Sequence, residues 1–171
     1  MSRLQTVRRL VTYDRRAFES FERYLQRLGW AKATAPRGIA HGSLKDTLVH
    51  ILNVHEAWLV AAAQDRWDEV RANPGRRAEA VRSFADLRRY RASTWKGIDR
   101  LMAGLTEAAL ARRVQVPWIG GRYTLEDGFF QSSFEQAHHL GEVIAVLWQM
   151  DRTPPQMMWI PLLTGVRVSV R

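Results

Sequence analysis

The chain has 171 residues and an ordinary balance of apolar and charged side chains, which fits one globular domain over residues 1–171. It contains no cysteine, which excludes disulfides, thiolate metal sites and a cysteine nucleophile. No apolar run approaches the roughly 20 residues that a membrane span needs, and the charged N-terminus lacks the apolar stretch of a secretory signal. We therefore expect a soluble, cytoplasmic protein that makes no contact with a membrane.

The first two predicted helices are separated by a loop. In the first, over about residues 5–28, apolar residues recur at spacings of three, four and seven, and Gly29 follows as a stop. The second begins after Ser43, a good N-cap, and extends to about residue 64. Residues 66–77 contain Asn-Pro-Gly and little periodicity, so they are predicted to form a loop.

The third and fourth predicted helices flank a short hairpin. The third begins at Ser83 and extends to about Gly104. Val114 and its neighbours in residues 111–124 alternate with polar residues, which predicts a hairpin with a two-residue turn at 120–121. Thr124 caps the fourth helix, which extends to about Met150, and the apolar tail after residues 154–155 predicts one short helical turn. The pattern favours an all-α fold, an up-and-down four-helix bundle with a hairpin-like insertion before the last long helix.

Polar residues interrupt the apolar faces of the second and fourth helices. His50 and His55 lie roughly 140° apart around the helix, so we expect only one of them to point inward, and His50 is the better candidate. On the fourth helix, Glu135 and His139 are four residues apart and share one face, which continues to Glu142. Buried polar groups need partners, because an unpaired one costs on the order of 1–3 kcal/mol.

A divalent metal would satisfy these groups. His50, Glu135 and His139 together offer two imidazoles and one carboxylate, a set that suits Zn, Fe or Ni and leaves positions open for water or substrate. Two alternatives stay open at this point. The Glu–His pair is also typical of a surface pair or a structural hydrogen bond, and His138 is placed almost as well as His139 to point inward.

The sequence resembles the DinB-like (DinB/YfiT) four-helix bundles over nearly its whole length. GSLKDTLVHILNVHEAWLVA is similar to the family's second helix, whose metal-binding histidine falls on His50. EQAHHLGEVIAVLWQMDRTPPQMMWI is similar to the end of the fourth helix, where the second histidine of a metal-binding HxxxH pair falls on His139. The chain departs from the family where Glu135 replaces the first histidine of that pair, and where Leu140 and Glu142 replace an arginine and a glutamine.

The resemblance implies a metal-dependent enzyme, either a hydrolase or a transferase that uses a low-molecular-weight thiol. In such an enzyme Zn, Ni or Fe activates a bound water or thiol. It also implies a small-molecule substrate and a homodimer. Glu135 in place of histidine indicates either a two-histidine, one-carboxylate site or a member that has lost its metal. Glu142 and Asp46 each lie one helical turn from a proposed ligand and are candidates to orient imidazoles, although Asp46 fits better as a first-turn carboxylate.

Two other functions stay open. The first is a metal-free binding or interaction module of the same fold. The second is nucleic-acid or polyanion binding, which the net charge of +9 and the 23 arginines invite. The arginines are spread over most segments rather than grouped in a stripe, and no nucleic-acid-binding motif is visible, so the sequence argues against the second alternative.

Overall fold

A computed structural model of this protein describes residues 1–117 and 119–165. Its N-terminal helix shows how the sequence determines where a helix begins and ends. Helix α1 (Arg3–Leu28) begins with a capping box, in which the Ser2 hydroxyl accepts a hydrogen bond from the Gln5 backbone and the Gln5 side chain accepts one from the Ser2 backbone. It ends at Gly29, whose φ of 95° lies in the left-handed region. The short helix α2 (Trp30–Thr34) follows, within a stretch for which no helix was predicted.

The second long helix changes type part of the way along. Helix α3 (Leu44–His55) is capped by Ser43 as predicted, and residues Glu56–Ala62 continue it as a π-helix. The expectation that only one of His50 and His55 points inward is wrong, because His55 is 1% exposed while His50 is half-buried. The reason is that α1, α5 and α7 all pack against α3, so several of its faces are interior.

The segment predicted as a loop over residues 66–77 is partly helical. Helix α4 (Trp67–Ala72) buries Val70. Acidic residues in its first turn stabilise the helix, because they lie at the positive, N-terminal end of its dipole. The Asn-Pro-Gly sequence forms a 3₁₀ turn, Pro74–Arg76, in which Asn73 Oδ1 accepts a hydrogen bond from the Gly75 N–H. A second 3₁₀ turn covers Ala78–Ala80. The loop prediction is therefore wrong for α4 and right about the turn chemistry that follows it.

The hairpin exists, but its connection is longer than predicted. Helices α5 (Phe84–Ala103) and α6 (Glu107–Leu110) precede strands β1 (Arg113–Val114) and β2 (Tyr123–Thr124), which pair antiparallel. Val114 lies opposite Tyr123, so the connection between the strands is longer than two residues and the predicted two-residue turn at 120–121 is wrong. Pro117 has no N–H to donate to a ladder, which opposes further pairing.

The last long helix completes the bundle. Helix α7 (Leu125–Gln149) begins with a capping box between Thr124 and Asp127, and helix α8 (Trp159–Thr164) packs on α1, both as predicted. Together α1, α3 with its π-helical extension, α5 and α7 enclose one apolar core, which confirms the all-α four-helix bundle. In the part of the chain that the structure describes, no helix is both long and apolar enough to cross a membrane. Contact between α3 and α7 brings the histidines of the two helices together.

Candidate metal centre

Three imidazoles meet where α3, α7 and the loop before α3 converge. The rings of His41 and His50 stack with centroids 3.7 Å apart, and the ring of His139 lies edge-on, 4.7 Å from His41 and 4.5 Å from His50. One nitrogen from each ring lies within 4.8 Å of the nitrogens of the other two. Imidazole nitrogens grouped at this spacing match the ligand set of many divalent metal sites in proteins.

His41 reaches the cluster through a tight turn. The Arg37 N–H donates to the Gly42 carbonyl at 2.6 Å, and the Gly42 N–H donates to the Ile39 carbonyl at 3.0 Å. Gly42 has a φ of 80°, a conformation that residues with a side chain rarely adopt. Ser43 then caps α3 directly after the turn, so the geometry that starts the helix also fixes His41 beside it.

The surroundings keep two of the three imidazoles uncharged at neutral pH. Burial lowers the pKa of His50 to about 4, and the nearby His41 and His139 act in the same direction. Burial and the nearby His139 also lower the pKa of His41, although three carboxylates oppose the shift. A neutral imidazole has one nitrogen with a free electron pair, which is the form that binds a metal. The Nε2 atom of His41 is buried and has no hydrogen-bond partner among the described residues.

Two carboxylates flank the third imidazole. Glu142 Oε2 lies 3.0 Å from His139 Nδ1, and a carboxylate at that distance accepts the Nδ1–H hydrogen bond. This contact favours the tautomer that leaves the Nε2 electron pair available, as carboxylate partners do for metal-binding histidines. Glu135 Oε2 lies 3.3 Å from His139 Nε2, while Glu135 Oε1 accepts a hydrogen bond from Gln131 Nε2 at 2.9 Å.

The structure brings together some of the residues singled out from the sequence. His50 and His139 lie in the imidazole cluster, whereas Glu135 is beside His139 but outside the group whose ligand atoms all lie within 4.8 Å of one another. His138 is exposed and forms a second, surface group with His139 and Glu142. Asp46 accepts a hydrogen bond from the Ser43 hydroxyl at 2.6 Å at the start of α3, which fits the first-turn role better than contact with an imidazole.

His41 is the residue that the sequence reasoning missed. It lies in an irregular loop, where helical periodicity gives no information about direction. The available signal was its position directly before the Gly42-Ser43 turn that begins the histidine-bearing helix α3. A side chain at that position must lie close to the first turns of α3.

Two clefts open beside the cluster and share His50 and Asn53. The first, of about 500 Å³, also contains Glu135, Arg76 and an apolar wall that includes Trp58. The second, of about 480 Å³, contains His41 and Asp46. The imidazoles therefore stand between two solvent-accessible spaces large enough for small molecules.

Sequence comparison agrees with the architecture. The family profile of the DinB superfamily matches residues 13–143, from the middle of α1 to within α7. The matched range contains His41, His50 and His139. No curated protein matches the chain.

Proposed function

The chain belongs to the DinB superfamily, and from this premise we propose that it is a metal-dependent enzyme whose divalent cation is held by His41, His50 and His139. The convergence of the three imidazoles carries the proposal. The buried, unpartnered Nε2 of His41 fits a metal ligand, because an orphaned buried nitrogen is costly in a site built only for packing. Zn, Ni and Fe all accept imidazole ligands.

Our proposal changes the ligand set expected from the sequence at one position. His41 takes the place that helical spacing assigned to Glu135, and the cation retains three protein ligands. When bound, it supplies Lewis acidity that lowers the pKa of a water or thiol. Glu135 borders the larger cleft beside His139, where its carboxylate would accept a proton from a water or thiol bound there. Glu142 orients the ring of His139.

The proposed reaction class is the one that the resemblance to the DinB-like family implies, and the side chains of this chain limit how it could proceed. With no cysteine in the sequence, any thiol must be brought by a small molecule. The apolar wall of the larger cleft, formed in part by Val54, Ala57 and Trp58, holds the body of that molecule. We therefore propose hydrolysis, or transfer of a low-molecular-weight thiol, at the edge of the cleft that His50 and Glu135 form.

Metal titration of purified, chelator-treated protein tests the proposal. We expect tight binding of Zn²⁺ or Ni²⁺ by calorimetry, and a loss on the order of a hundredfold or more in each of His41→Ala, His50→Ala and His139→Ala. His138→Ala is the matched control, because that side chain is an exposed histidine on the same helix as His139. Its affinity should stay within about threefold of the wild-type value.

The possible failures distinguish the alternatives. If Glu135→Gln loses as much affinity as His139→Ala while His41→Ala behaves like the control, the two-histidine, one-carboxylate set is correct. If neither ion binds wild-type protein more tightly than it binds the triple histidine variant, the enzyme proposal is wrong and a metal-free binding module is favoured.

A further inference from the structure

The larger cleft carries one positive and one negative side chain on an otherwise mainly apolar lining. Among the described residues that line it, Arg76 is the basic one and Glu135 is the acidic one. Glu135 lies beside His139, whereas Arg76 is held against Asn53, one helical turn along α3 from His50. The cleft therefore has a negative side chain beside His139 and a positive side chain beside Asn53.

The backbone of Arg76 is fixed by an unusually close contact. A Cβ atom added to Gly75 would lie 2.5 Å from Cγ of Tyr90, so only glycine allows the chain to lie against that ring. The Nδ2 atom of Asn53 donates a hydrogen bond to the Arg76 carbonyl at 3.0 Å, and the Tyr90 hydroxyl donates one to Asn53 Oδ1 at 2.6 Å. Helices α3 and α5 thus both hold the turn that carries Arg76.

The guanidinium is oriented by a buried carboxylate. Nη1 of Arg76 donates to Glu56 Oε2 at 3.2 Å, and Glu56 Oε1 accepts a hydrogen bond from Asn73 Nδ2 at 2.9 Å. The Tyr90 hydroxyl oxygen, whose single proton is directed to Asn53, lies 2.9 Å from Glu56 Oε2. The Glu56 side chain is 5% exposed, whereas that of Arg76 is 27% exposed. Among the described residues the guanidinium makes one hydrogen bond, to Glu56, and it is partly exposed on a residue that lines the larger cleft. Its further N–H donors are therefore available to a ligand.

We propose that Arg76 binds the carboxylate of a small-molecule substrate whose apolar body lies along Val54, Ala57 and Trp58. A planar guanidinium held in place matches a carboxylate with two parallel hydrogen bonds. Glu135 repels an anion from the histidine end of the cleft, so the two charges orient the molecule with its reacting end toward His50. The reaction of this substrate rests on the proposed function, but its binding to Arg76 does not.

A carboxylate and its neutral amide, nearly identical in shape, test the proposal. The probes are 3-phenylpropanoate and 3-phenylpropanamide, titrated by calorimetry into chelator-treated protein, because a bound metal would itself attract the carboxylate. We expect wild-type protein to bind the acid about tenfold or more tightly than the amide, because hydrogen bonds between charged groups are stronger than those to a neutral amide. In Arg76→Gln the two probes should bind with equal affinity.

Arg77→Gln is the matched control. Arg77 is the next residue, it is exposed, and it does not line the larger cleft, so this variant changes the net charge equally and should keep the wild-type preference. The proposal is overturned if wild-type protein does not prefer the acid, or if Arg76→Gln and Arg77→Gln keep the same preference. Either result would leave Arg76 as the structural partner of Glu56.

A second variant keeps the test decisive if Arg76→Gln fails to fold. Arg76→Lys still neutralises Glu56 but lacks the planar fork, so the preference for the acid should fall by about threefold or more. An unchanged preference in the lysine variant contradicts the proposal. Metal titrations of the same proteins test the proposed function separately. If the protein prefers the carboxylate but binds no metal, the proposed metal-dependent enzyme is wrong and the carboxylate site at Arg76 still holds.

Discussion

Helices α3 and α7 carry two polar clusters that differ in how their members are satisfied. In the inner cluster, His55 Nε2 lies 3.0 Å from Gln136 Oε1, and Gln136 Nε2 donates to the Asp14 carbonyl at 2.9 Å. The Ser133 hydroxyl donates to the Asp14 carboxylate at 2.8 Å, which leaves the Nδ1 of His55 as the unpartnered side-chain atom of this cluster. In the outer cluster three imidazoles face one another beside two clefts.

The difference shows what separates a structural polar cluster from a site that binds something. Hydroxyl, amide and carboxylate groups complement one another as donors and acceptors, so the inner cluster is nearly complete without a ligand. The neutral imidazoles of His41 and His50 have electron pairs left over, and each nitrogen of His139 lies beside a carboxylate. A single unpartnered nitrogen, such as His55 Nδ1, therefore does not indicate a binding site, whereas several imidazoles that converge beside open clefts do.

Replacing one histidine by glutamine should reduce metal affinity in the outer cluster and reduce stability in the inner cluster. We expect His50→Gln to lower metal affinity on the order of a hundredfold or more, while leaving the free energy of unfolding nearly unchanged. His55→Gln should leave metal affinity within about threefold and reduce stability, because His55 is fully enclosed beside Trp95. Calorimetric metal titration and urea denaturation of both variants measure the two effects, and equal metal affinities would remove the distinction between the clusters.

Asp14 should make the stability of the inner cluster depend on pH. Burial raises its pKa from an ordinary 3.8 to about 7, against the hydrogen bond from Ser133 that lowers it. The folded chain therefore binds this proton more tightly than the unfolded chain, so Asp14 lowers stability as pH rises from about 4 to 7. Between these limits, the unfolding free energy of wild-type protein should fall by on the order of 3 kcal/mol relative to Asp14→Asn.

Urea denaturation of the two proteins across pH 4–8 measures this difference. Burial lowers the pKa of His55 to about 4, which gives stability that is lost as pH falls below about 6.5. That contribution is present in both proteins and cancels in the comparison. Parallel curves for wild-type protein and Asp14→Asn would mean that the Asp14 carboxylate titrates normally in the folded state.

In the outer cluster, Glu142 is expected to act through His139 rather than on the metal. Glu142→Gln should weaken metal binding by about tenfold, since it removes the carboxylate that accepts the Nδ1–H hydrogen bond. Glu79→Gln is a charge-matched control on the lining of the smaller cleft. Metal titration at constant ionic strength separates the two variants, and equal losses would indicate a general effect of charge.

The smallest effect is expected outside both clusters. Phe134 is 68% exposed on α7, so Phe134→Ser should change the unfolding free energy by less than about 0.5 kcal/mol. The homodimer expected from the family resemblance stays a prediction, and sedimentation of wild-type protein and Phe134→Ser measures it together with any contribution from this side chain. A larger loss of stability would mean that Phe134 is covered in solution.

Helical periodicity could predict only those residues of the candidate site that lie on regular helices. His50 and His139 were placed correctly in a common interior because spacing determines the face of a helix. The same rule placed Glu135 beside His139, as observed, but i,i+4 spacing does not direct its carboxylate, so its role as a metal ligand stays a prediction. His41 was missed because its direction depends on the hydrogen bonds of the turn between Arg37 and Gly42.

The fold itself was more predictable than its irregular parts. Caps such as Ser43, Ser83 and Thr124 mark the helix starts in the sequence, and the structure places them there. The π-helical stretch and helix α4 were not predicted, because packing rather than local propensity determines them. The length of the hairpin connection was not predicted either. It depends on how many residues of the two strands pair, and turn propensity alone does not determine that number.

The contact between Gly75 and Tyr90 also bears on how ligand preference changes during evolution. Any larger residue at position 75 must displace the aromatic ring or its own backbone, and the neighbouring residue in the chain is Arg76. A single substitution there would move the guanidinium without altering any side chain of the cleft lining. If Arg76 binds the substrate as proposed, a substitution at position 75 would change which molecules the cleft selects while every residue that lines it stays the same.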